Sequence, residues 1–66
     1  MATYVVRIQC VDGPPADYET PDRLDAIETA VRLFKHNEWP TIYVEAESGA
    51  RRRDRAATSA AMARAI

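Results

Sequence analysis

The sequence predicts a small α+β domain with the order β-β-α-β-α. We expect a three-stranded antiparallel sheet of order 2-1-3, a main helix on one face and a C-terminal helix rich in alanine and arginine. Three observations carry that expectation. Residues 3 to 11 and 41 to 47 alternate with period two, the mark of half-buried strands. Between them, Leu24, Ile27, Val31 and Phe34 recur at helical spacing. Residues 50 to 66 contain neither glycine nor proline and are alanine-rich, so their helix propensity is high.

The first strand places Tyr4, Val6, Ile8 and Cys10 on one face and Thr3, Val5, Arg7 and Gln9 on the other. Asp12-Gly13 supplies a turn, and Pro14-Pro15 prevents the ladder from running straight on. Residues 16 to 20, ADYET, return as a short second strand. Thr20-Pro21-Asp22 then starts the main helix: Thr20 is placed to cap free N–H groups, Pro21 loses nothing at the first helical position, and Asp22 suits the positive end of the dipole. Ala30 widens the apolar stripe, and Lys35 and His36 close the last turn. Trp39 precedes Pro40 and is pushed towards extended backbone, so the helix ends by about residue 37. In the third strand Ile42, Val44 and Ala46 face the core while Tyr43, Glu45 and Glu47 face away. Ser48-Gly49 breaks it. The tail helix has only Met62 and Ile66 as an apolar seam, with Leu33 on the main helix as a candidate receiver. Trp39 is expected to plug the end of the sheet–helix core.

At 66 residues the chain forms one domain, a body over residues 1–48 and a helix over 49–66. A chain this short buries only ~60% of its unfolded surface, so a partner or a second copy would add stability. No apolar run is long enough for a membrane span and no leader is recognisable. One cysteine permits no internal disulfide and fits a reducing, cytoplasmic compartment. The net charge of −1 hides an asymmetry. Residues 1–48 carry nine acids against four bases, whereas residues 49–66 carry five arginines against Asp54 alone.

No reaction chemistry is recognisable. His36 falls at a polar helix end, away from any nucleophile, and Cys10 lies on the inward strand face. Two candidate ligands are too few for structural zinc, and there is no phosphate-cradling glycine loop, so no metal and no cofactor are expected. Two charged groups remain. Asp17, Glu19, Asp22, Asp25 and Glu28 form a candidate acidic face, with Glu28 also placed to pair with Arg32 at i+4. Arg51, Arg52, Arg53 and Arg55 form a basic cluster suited to phosphates or to the chain's own acids. On a helix Arg51, Arg52 and Arg55 would share one side. Val5 and Tyr43, outward on the sheet, are a candidate dimer face, where Tyr43 could also stack on a base.

In its general character, with acids strung along DYETPDRLDAIE and no catalytic set, the chain resembles the small phage and mobile-element inhibitors of the anti-CRISPR type. The resemblance implies a non-enzymatic inhibitor whose acidic surface occupies a basic, nucleic-acid-binding surface of a protein partner such as a CRISPR effector complex. The basic tail departs from a purely acidic mimic. It leaves open a nucleic-acid-binding accessory protein acting through the arginines, or a structural module that is a monomer or a homodimer.

Overall fold

In a computed structural model, described over residues 2–9, 13–36, 38–46 and 48–66, the elements are β1 (Thr3–Gln9), β2 (Ala16–Thr20), α1 (Arg23–Lys35), β3 (Trp39–Glu45), β4 (Arg51–Arg53) and α2 (Arg55–Ala65). The expectations placed on Cys10, Asp12 and Glu47 lie outside the described residues. β1 and β2 form the expected antiparallel hairpin, with Tyr4 opposite Thr20 and Arg7 opposite Asp17. β3 pairs antiparallel to the other side of β1, with Val5 opposite Tyr43.

The sheet has four strands rather than three, in the order β2-β1-β3-β4. Arg51–Arg53, expected at the start of the tail helix, pair with Tyr43–Glu45 instead. The turn explains the difference. Gly49 has φ +82, a conformation that disfavours a side chain, and its N–H donates to the Ala46 carbonyl at 2.9 Å. The Ala46 N–H in turn donates to the Ala50 carbonyl at 2.8 Å, so the chain doubles back along the otherwise unpaired edge of β3. Satisfying that edge outweighs the helix propensity of three arginines, which is high but worth only tenths of a kcal/mol per residue.

α1 also starts two residues later than its sequence signals suggest. Asp22, not Thr20, is the N-cap and accepts the Leu24 N–H at 3.0 Å. Thr20 ends β2, is buried, and accepts the Asp22 N–H at 3.2 Å, so Pro21 sits ahead of the helix. The buried side of α1 is Ala26, Ile27 and Ala30, with Val31 and Leu33 partly buried beside them. Leu24, expected in the core stripe, is 59% exposed. The stripe turns because α1 packs against two neighbours, the sheet and α2. The small Ala26 and Ala30 join one cluster with Ala57 and Ala61, which lets the two helices approach closely.

The tail helix therefore docks on its own body, through different residues from those expected. Its buried residues are Ala57, Thr58 and Ala61, while Ile66 is 98% exposed and Met62 lies beside a surface groove. Thr58 connects it to the sheet. Its Oγ1 accepts the buried Ile42 N–H at 3.0 Å and donates to the Asp54 carbonyl at 2.8 Å. The Ile42 carbonyl accepts the Asp54 N–H at 2.8 Å. Beyond the three residues of β4, then, Asp54 still donates as the next strand residue would, and a side-chain hydroxyl stands in for the carbonyl that would accept.

Pro40 is a fully buried member of β3, and its place follows from the same pattern. It shares the phase of Ile42, whose backbone groups point away from β1, towards the side where β4 reaches only Tyr43. The missing N–H costs no ladder bond there. Trp39 does not plug the core: it is 62% exposed and meets Phe34 edge-on, with centroids 5.8 Å apart and planes at 86°. Val5, expected on an open surface, has no exposed area although it lies outside the main core cluster.

Candidate nucleic-acid interface

The covering of Val5 shows how the charges are arranged. Cross-strand partners share a face, so Thr3, Val5 and Arg7 of β1 stand with Asp17 and Glu19 of β2, Tyr43 and Glu45 of β3, and Arg51 and Arg53 of β4. This face lies opposite the one that α1 covers. On it, Arg7 grips Asp17 with two bonds, Nε to Oδ1 at 3.1 Å and Nη2 to Oδ2 at 3.3 Å. Arg51 reaches from β4 to β2 and donates to Asp17 Oδ2 at 2.9 Å and to Glu19 Oε1 at 3.4 Å. In doing so it spans β3 and β1, the latter carrying Val5. The Arg7 guanidinium also sits 5.4 Å from the centroid of the Tyr43 ring. Charged side chains thus accompany the full burial of Val5, and Arg7 covers one face of the half-buried Tyr43 ring, where periodicity alone had left both residues open.

The electrostatic consequences are local. Hydrogen bonds from Arg7 and then from Arg51 hold the Asp17 carboxyl below its ordinary range, and Asp17 raises Arg7 in turn. On the other face, the Tyr18 hydroxyl donates to Asp25 Oδ2 at 2.7 Å. That bond lowers Asp25 and raises Tyr18, with smaller help to Asp25 from Thr20 and from the charge of Arg32.

The five acids of the candidate acidic face are thereby dispersed. Asp17 and Glu19 lie on the sheet face away from α1 and are matched by Arg7 and Arg51. Asp22 is occupied as the α1 cap and Asp25 accepts from Tyr18. Glu28 is exposed on α1, and the expected Glu28–Arg32 pair is not among the ion pairs of the described residues.

The four arginines are divided as well, but less evenly. Arg51 is turned onto the chain's own acids. Arg52, Arg53 and Arg55 are exposed and form no ion pair among the described residues. Arg52 shares the phase of Val44 and Arg53 that of Tyr43, so the two point to opposite faces of the edge strand. Arg55 opens α2. Asp54 between them is the α2 N-cap, accepting the Ala57 N–H at 2.9 Å, which directs its charge into the helix. The result is a basic ridge along the outer edge of β4. On one side of it lies a shallow groove of about 280 Å³ lined by Arg53, Arg55, Thr58, Ser59 and Met62. A second groove of similar size is lined by Val44, Arg52, Arg53, Asp54 and Arg55.

His36 is the C-cap of α1, and its backbone N–H donates to Leu33 O at 3.0 Å. No three His, Cys, Asp or Glu side chains among the described residues are grouped to hold a metal ion. Among the described residues no helix is long and apolar enough to cross a membrane. Sequence reasoning missed Arg7 and Thr58 as organising residues. Arg7 was detectable in principle, since it shares its strand face with Tyr43, whereas nothing in the sequence marked Thr58. The chain matches no protein-family model, no curated protein and no solved structure.

Proposed function

We infer that this protein is a non-enzymatic binding module that holds a nucleic acid through Arg52, Arg53 and Arg55. The supporting observation is the ridge itself. Three exposed guanidinium groups without intramolecular ion pairs among the described residues crowd one edge, while Arg51 is matched by Asp17 and Glu19. Guanidinium groups bind phosphate oxygens bidentately, and Arg52 and Arg53 on the two faces of the edge strand, with Arg55 just beyond it at the start of α2, offer a phosphodiester backbone contacts around that one edge. The test is a titration against labelled nucleic acid at rising salt. Three phosphate contacts correspond to a slope of log affinity against log salt of about −2 to −3. The triple variant R52A/R53A/R55A abolishes binding, whereas R51A leaves most of it. Binding that survives the triple variant rejects the reading.

A second reading is favoured by one observation. Asp25, which lies beside Tyr18 of β2, and the exposed Glu28 are both carried by α1, the helix that Asp22 caps. They would let the helix occupy a basic surface of a protein partner, as an inhibitor of the anti-CRISPR type does. It predicts that D25K/E28K abolishes capture by a basic partner and leaves nucleic-acid binding untouched.

A further inference from the structure

We propose that the sheet face around Tyr43 receives an unpaired base, so that the nucleic acid held by the arginine ridge is a single strand. The inference rests on the ridge reading and adds the class of ligand to it. Tyr43 lies at the middle of β3 and is only half-buried. Arg53 stands directly across from it on β4, and the Arg7 guanidinium lies 5.4 Å from its ring centroid on the β1 side. The tyrosine is therefore bracketed by arginines from both neighbouring strands. Arg7 is held by two bonds to Asp17, which fixes the plane it presents. Both an aromatic ring and a guanidinium plane are surfaces on which a free base stacks.

A duplex keeps its bases inside and offers only phosphates to a ridge. A single strand can run its backbone past Arg53 and Arg55 and turn a base inward against the pair formed by Tyr43 and the Arg7 guanidinium over its ring. The acids on this face determine which way the strand runs. Asp17 and Glu19 are matched by Arg7 and Arg51, but Glu45, opposite Arg51, repels phosphate. The backbone is accordingly confined to the Arg53–Arg55 side, where the groove lies.

Labelled oligothymidylate and a duplex of the same length are titrated against the full chain at low salt, with intact folding of each variant checked by circular dichroism. The expected result is tighter binding of the single strand. Y43L weakens it by roughly ten- to a hundredfold and leaves the duplex unchanged, while Y43F restores it. A photocrosslink from a thiouridine-bearing oligonucleotide, mapped on the unmodified protein, should fall on the peptide that contains Tyr43, which makes the test independent of whether Y43L folds. Equal affinity for both forms, with the crosslink confined to Arg52–Arg55, overturns the base-stacking inference and keeps the ridge. Absence of binding to either form overturns the ridge reading itself.

Discussion

Replacing Thr58 with valine tests how the tail helix is attached. Valine keeps the shape of threonine but removes the oxygen that accepts the Ile42 N–H at 3.0 Å and donates to Asp54 at 2.8 Å. The Asp54 carbonyl keeps a partner, because the Thr58 backbone N–H also reaches it at 3.0 Å. The Ile42 N–H keeps none, and Ile42 is fully buried. An orphaned buried donor costs about 1–3 kcal/mol. A domain of this length has a total stability of about 3–10 kcal/mol, so the loss is a large share of it. At about 4–8 °C per kcal/mol, Tm should fall by roughly 5–20 °C in a thermal melt followed by far-ultraviolet circular dichroism. Thr58→Ser, which retains the hydroxyl, should lose clearly less. A T58V melt within about 2 °C of the parent, or an equal loss in T58S, would refute the assignment of Thr58 as the strand substitute.

Two more outcomes follow from the packing and the charges. Ala61 has almost no exposed area where α2 meets α1, so Ala61→Leu overpacks the contact and should cost about 1–3 kcal/mol in denaturant unfolding, whereas Ile66→Ala, at an exposed end, should be nearly silent. The Asp17 carboxyl has a folded pKa below its unfolded value, so its contribution to stability is present above about pH 4 and is lost as the pH falls through the folded pKa. Asp17→Asn should therefore be less stable than the parent at neutral pH and lose less on acidification; an acid limb identical in the two proteins would show that the Arg7–Asp17–Arg51 contacts do not persist in solution.

Much of the fold was legible along the chain, and the residues concerned share a feature. β1 and β3 announced themselves by alternation, β2 by its bounding turns, and α1 by an apolar repeat, because each of these signals is written within a few consecutive residues. The failures lie where two distant segments compete. Helix propensity over residues 50–66 is a local quantity, and it could not register that the free edge of β3 offers Arg51–Arg53 three residues of backbone pairing. Leu24 looked like core and Ala26 like filler because spacing shows that a helix has an apolar side but does not show that two neighbours divide it.

The charges divide in the same way. Composition and order determined that this protein has an acidic body and an arginine-rich tail, with no recognisable catalytic set, and those statements need no coordinates. Only the tertiary structure decided which charges remain available. Arg51 and Asp17 are 34 positions apart, yet the sheet brings them to 2.9 Å. That pairing neutralises part of the acidic body and leaves Arg52, Arg53 and Arg55 along the edge. The physical reason is range: propensity and periodicity act over one or two turns of chain, whereas a salt bridge depends on where the folded backbone places its two ends.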